Sequence, residues 1–168
     1  MFIDYHDAIN VLVEDTKATH DNGGERYFFA FEQTKYSLEG RNSLAIIGGI
    51  IEPGEEAELA AKREVNEELD GIVCKKFHFL GRFRRDVNRG IGWVHSFLAL
   101  DCEKGGVIES EIDVSEEVGA PDIERQDILS ISTSVLREKV KEGQFLEVQW
   151  SNTVSLALLH DQMKTERT

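Results

Sequence analysis

Basic residues are scarce. Against 32 Asp and Glu the 168-residue chain sets only 19 Lys and Arg, a formal net charge of −13. Broad binding to nucleic acid or to an anionic membrane surface needs basic surface, so neither is an expected partner. An anionic substrate would have to be drawn in by local features, such as a metal ion or a few arginines. Proline is nearly absent, with Pro53 and Pro121 alone. No Pro-rich linker, repeat or low-complexity tract marks a boundary, and a single domain over residues 1–168 is expected. Cys74 and Cys102 stand far apart with no CxxC, so no disulfide framework is expected and a reducing, cytoplasmic setting is the default. No apolar run approaches the roughly 20 residues of a membrane span. The opening MFIDYHDAINVL has neither the basic start nor the apolar core of a secretory signal.

What the chain does have is concentrated between Gly48 and Gly71, GGIIEPGEEAELAAKREVNEELDG. The run Leu44 to Ile47 reads as a strand entering it. Gly48-Gly49 and Pro53-Gly54 give two sharp breaks in backbone direction. Ala57 to Leu69 are good helix formers without Gly or Pro. On that helix Ala61, Val65 and Leu69 recur every four residues as an apolar face. Glu64, Glu67 and Glu68 fall at i, i+3 and i+4 and share the neighbouring face. Like charges at this spacing cost about 0.2–0.5 kcal/mol, and acids near a helix C-terminus cost about 0.3–1 kcal/mol more against the dipole. A hard divalent cation reverses both terms, and carboxylates with a loop carbonyl suit Mg²⁺. The plain alternative is a solvated acidic face.

The wider spacing weighs against that alternative. Gly49, Glu55, Arg63-Glu64-Val65 and Glu67-Glu68 stand at intervals that together resemble the signature of the Nudix hydrolase family. The family usually has Gly and then an aliphatic residue where this chain has Asp70 and Gly71. Asp tolerates the left-handed helix exit less readily than Gly; alternatively the helix runs one residue longer and Gly71 ends it. The resemblance implies an α/β/α sandwich with a mixed β-sheet, where the order of elements alone gives only mixed α/β. It also implies that Glu64, Glu67 and Glu68, with the Gly48 carbonyl, hold Mg²⁺ (or Mn²⁺), and that Arg63 pairs with Glu55 to brace the loop against the helix.

The segment FEQTKYSLEG is similar to the one before the motif in ADP-sugar diphosphatases, with Gln33 in place and Lys35 where that branch usually has arginine. By position in the acidic segment 101–127, which carries ten acidic residues, Glu124 matches that branch's catalytic carboxylate, with Glu116 and Glu117 as substitutes. The branch also tends to have an extra N-terminal region serving dimer formation. Here the first strand starts near residue 8, and a homodimer stays open.

The remaining elements read as strands at Ala8–Val13, Arg26–Phe31, Ile72–Arg84, Ile91–Leu100 and Ile128–Ser132. A polar turn region covers 14–24, a hairpin lies at 86–90, and helices run over Ser134–Glu142 and from Ser151 or Asn152 to Met163. Arg82, Arg84, Arg85 and Arg89 cluster around Phe83 and ahead of Trp93. Arginine forks match phosphate oxygens, so these are candidate substrate ligands; a solvated hairpin pairing with acidic surface explains them equally well. His78 and His95 sit in apolar, strand-like surroundings and read as packed rather than ligating.

The implied reaction is Mg²⁺-dependent hydrolysis of a nucleoside diphosphate joined to another moiety, an NDP-sugar such as ADP-ribose, giving NMP and a sugar phosphate. Nucleoside triphosphates or dinucleotides as substrates are alternatives, as is a non-enzymatic nucleotide-sensing module. The motif holds metal and diphosphate and does not separate these.

Overall fold

The structure is a computed structural model that describes residues 6–35, 38–106 and 126–165. Strand β1 (Ala8–Glu14) leads into helix α1 (Thr16–Asn22), then β2 (Tyr27–Thr34), β3 (Asn42–Ala45) and β4 (Ile47–Ile50). Helix α2 (Ala57–Glu68) carries the acidic motif. The hairpin β5 (Ile72–Asp86) and β6 (Ile91–Lys104) follows, then β7 (Gln126–Ser132), α3 (Thr133–Lys141) and α4 (Val148–Thr165).

The seven strands form one mixed sheet, ordered β3-β2-β1-β6-β5, with β7 on β2. The centre is β1, the most apolar strand (Ile9, Val11, Leu12 and Val13 are buried), and it pairs parallel with β6. Its other edge is shared. Ala8 to Val11 pair antiparallel with β4, and Val13-Glu14 pair antiparallel with β2. The sheet therefore forks along this edge. Helix α2 packs on β4, β1 and β5, and α4 packs on β1, β5 and β6, giving the α/β/α arrangement. α2 turns Ala60, Ala61 and Val65 into the core, as the four-residue apolar spacing requires.

Several expectations change. The polar stretch after β1 contains helix α1, which buries no side chain. Its ends are fixed by the Asp15 side chain accepting from the Ala18 N–H and by Gly23 in the left-handed region. The run Leu44–Ile47 is split between two strands with different partners, β3 on β2 and β4 on β1, with Ile46 between them. The final helix begins at Val148, ahead of the anticipated caps at Ser151 or Asn152. Cys74 and Cys102 are disulfide-bonded: 28 residues apart in sequence, they face each other across the β5–β6 ladder. Sequence spacing carries no trace of that pairing, because the long hairpin creates it. His95 lies half-buried beside Asp7 and His78 against the His160 ring. Among the described residues no helix is long and apolar enough to cross a membrane.

Candidate active site

The loop between β4 and α2 is built by two local devices. Glu52-Pro53-Gly54-Glu55 is a turn closed by the Glu55 N–H on the Glu52 carbonyl at 3.0 Å, with Gly54 at φ 80°. Proline before a positive-φ glycine is the type II pattern. The turn presents the Glu55 carboxylate to α2, where Arg63 holds it with a fork: Nε to Oε1 at 3.0 Å and an Nη to Oε2 at 3.1 Å. Arg63 also donates to the Ile50 carbonyl at 3.1 Å and to Glu64 Oε1 at 2.7 Å. One guanidinium thus joins the strand end, the loop and the helix. These contacts raise the pKa of Arg63 further and hold that of Glu55 below the usual carboxylate range.

Gly49 is required by close approach. A Cβ built there would lie 2.1 Å from Glu64 Cδ. The backbone of β4 therefore runs against the Glu64 carboxylate, which burial pushes toward a higher pKa despite Arg63. Gly48 is aligned with Asn10 of β1. The Ile51 N–H donates to the Asp7 carbonyl at 2.9 Å, and alternation along an antiparallel ladder makes Asn10–Gly48 a non-hydrogen-bonded pair. The N–H and C=O of Gly48 accordingly turn away from β1. The N–H donates to Glu68; the C=O is free of the β1–β4 ladder. Burial first, then the Glu64 charge, push the Glu68 carboxyl up to about 7, while the Gly48 N–H and Lys35 pull the other way.

The helix ends as a Schellman motif. The Gly71 N–H reaches the Asn66 carbonyl at 2.8 Å, and Asp70 takes the left-handed position at φ 47°. The helix exit thus has Asp70 in the place where the family usually has glycine.

A cavity of about 490 Å³ lies in the fork of the sheet. Glu68, Gly48, Gly49, Gln33, Lys35 and Arg85 are among the residues that line it. Of the four hairpin arginines, Arg85 alone lines this cavity. Arg82 and Arg84 lie over the Trp93 ring, 4.1 and 4.2 Å from its centre. Arg89 sits at the hairpin tip, 3.6 Å from Asp86. Glu67 is about half exposed and 3.6 Å from Arg63. Glu124, Glu116 and Glu117 lie outside the described residues.

Four lining residues have no signature in the sequence: Asn10, Glu147, Gln149 and Trp150. Asn10 is 3% exposed, and its Oδ1 accepts no hydrogen bond among the described residues. Asn10 is marked in the sequence only as a polar residue inside an apolar strand.

The donor set fits a hard divalent cation. Two carboxylates with raised pKa stand one turn apart on a helix edge, beside a backbone carbonyl left free by its ladder. Among the described residues no three His, Cys, Asp or Glu side chains are already gathered as a metal cluster, since Glu64 and Glu67 both lean toward Arg63.

The NUDIX domain model matches residues 4–120, and the chain belongs to that family of pyrophosphohydrolases, which act on small nucleotide substrates. The fold is similar to that of a crystal structure described as an ADP compounds hydrolase, with TM-score 0.66 and 16% identity, covering 95% of this chain and 74% of that one. A MutT/nudix family protein from Enterococcus faecalis aligns over 77% of this chain and 46% of its own length, with 19% identity and TM-score 0.47. No curated protein matches the sequence significantly.

Proposed function

We propose that this Nudix hydrolase cleaves the diphosphate bond of a nucleoside diphosphate joined to another moiety, an NDP-sugar such as ADP-ribose, and releases NMP and a sugar phosphate. The observation that carries the reading is the shared cavity. Glu68, the Gly48-Gly49 backbone, Lys35, Arg85 and Gln33 all line it. A carboxylate edge fit for a divalent cation and two basic side chains in one cavity suit a diphosphate, whose charge must be neutralised.

In this reading Glu64, Glu67, Glu68 and the Gly48 carbonyl hold Mg²⁺, with Mn²⁺ as a substitute. When bound, the ion neutralises phosphate charge and lowers the pKa of a coordinated water. Lys35 and Arg85 bind and orient the non-bridging oxygens, and Gln33, buried at the end of β2, orients the substrate by hydrogen bonding. Glu124 keeps the role of proton acceptor. Arg63 and Glu55 hold the loop and the helix in register.

The test is Mg²⁺-dependent turnover of ADP-ribose, with the phosphomonoester products released to a coupled phosphatase. Turnover that vanishes in Glu68→Gln supports the reading. Equal turnover in the variant, or none in the wild type, overturns it.

A further inference from the structure

Beyond Arg85 lies a second cavity, of about 500 Å³, between the distal end of the β5–β6 hairpin and the first turn of α4. This is the size of an ordinary small-molecule site. Phe83, Ile91, Val94 and Val148 give it apolar walls, and Asn152 adds an amide. It adjoins the cavity of the acidic motif, and Arg85, Glu147 and Gln149 line both.

Glu147 is the informative member. It is half-buried in the shared wall, and among the described residues its carboxylate makes neither a hydrogen bond nor an ion pair. Lys35 and Arg85 act on it through space only. A half-buried carboxylate that faces a cavity without a direct protein partner is placed to accept hydrogen bonds from a bound group. A phosphate offers none and is repelled by it. Arg84 and Asp86 complete the lining, and a flat, donor-bearing group suits both the carboxylate and the apolar walls, with its phosphates reaching back past Arg85.

We propose that this second cavity holds the nucleobase of the substrate, and that Glu147 selects a purine carrying an exocyclic amino group. The proposal rests on the diphosphatase reading above and adds to it the site and the chemistry of base recognition. The ring lies among Phe83, Ile91 and Val94, the amino N–H donates to Glu147, and Arg85 marks the passage from base to phosphates.

The test is calorimetric titration of the full chain with AMP and with purine riboside 5′-monophosphate, which differs by loss of the amino group alone. The wild type should bind AMP at least about tenfold more tightly, the scale of a hydrogen bond to a buried charge. Glu147→Leu should erase that ratio, and Glu147→Gln, whose carbonyl still accepts, should keep part of it, with circular dichroism verifying the fold of both. A wild-type ratio near one overturns the proposal, as does an unchanged ratio in Glu147→Leu. Loss of turnover in Glu147→Gln with the binding ratio intact also overturns it, by moving Glu147 into the reaction chemistry. A retained ratio in a chain that hydrolyses no diphosphate upholds the base site and overturns the catalytic reading instead.

Discussion

The carboxylate of Glu64 fills the space in which a side chain on Gly49 would begin, 2.1 Å from the position of its Cβ. Two residues fifteen apart thus fix each other, and the β4 backbone becomes one wall of the acidic site. A methyl group at Gly49 must displace the carboxylate, which is the end of a flexible side chain, so the fold survives and the site does not. Gly49→Ala should lower kcat/KM for the diphosphate substrate by at least about tenfold, on the scale that a 1 Å displacement in a preorganised site produces. Its far-ultraviolet circular dichroism should be unchanged. Retained activity would show that Glu64 is not needed where it lies.

Arg63 joins three segments through contacts to Glu55, Ile50 and Glu64. Its side chain is 20% exposed, so the contacts are only partly screened. Arg63→Ala should destabilise the fold by about 2–3 kcal/mol, read as a lower midpoint in urea. Arg63→Lys keeps the charge and loses the fork, so it should recover less than half of that.

Glu68 makes stability depend on pH in a direction opposite to that of most carboxylates. Its folded pKa, about 7, lies above the ordinary 4.5, so between these values the native state holds a proton that the unfolded chain has released. Stability from this group is fully present below about pH 4.5 and is lost as pH rises through 7, by at most about 3 kcal/mol. Urea midpoints in EDTA should fall over this window and should be flatter in Glu68→Gln. Mg²⁺ should restore the midpoint above pH 7, where the ionised ligand is available. A wild-type curve in EDTA with no fall between pH 5 and 8 would show that Glu68 is not desolvated.

The four hairpin arginines should separate by their surroundings. Arg85 lines the cavity with Glu68 and Lys35, whereas Arg89 pairs with Asp86 in solvent. Arg85→Ala should raise KM for ADP-ribose about tenfold or more, the scale of one charge-assisted contact. Arg89→Ala should change it less than about twofold. The reverse order would place the substrate on the hairpin tip.

The part of this molecule legible in its sequence is the part encoded by local rules. The α2 stripe, the Glu52-Pro53-Gly54-Glu55 turn and the apolar strands each follow from residues a few positions apart, and the family spacing places the carboxylate helix in a mixed sheet. Helix α1 was obscured because it buries nothing, leaving only Asp15 and Gly23 as capping signals. The rest of the cavity comes from long-range geometry. Asn10 meets Gly48 through a β1–β4 register, Glu147 arrives through the packing of α4, and Cys74 meets Cys102 through a long hairpin. The hairpin arginines fall into three environments: Arg82 and Arg84, two apart on β5, share the Trp93 ring, Arg85 alternates to the other face and lines the cavity, and Arg89 lies beyond the strand at the tip.

The helix exit offers a test in which stability and activity part company. Asp70 adopts φ 47°, a conformation glycine enters without steric cost. Its charge also faces the negative end of the α2 dipole. Against this stands one exposed contact, from Lys104 to the Asp70 carboxylate at 2.9 Å, a type of pair whose contribution is small. The balance favours glycine. Asp70→Gly should stabilise the chain by about 0.5–1 kcal/mol and leave kcat for ADP-ribose within about twofold, because the Gly71 to Asn66 bond that closes the helix is a backbone bond and is kept. Destabilisation would show that the Lys104 contact outweighs the backbone term. A fall in kcat at unchanged stability would show that the exit geometry is transmitted to Glu67 and Glu68.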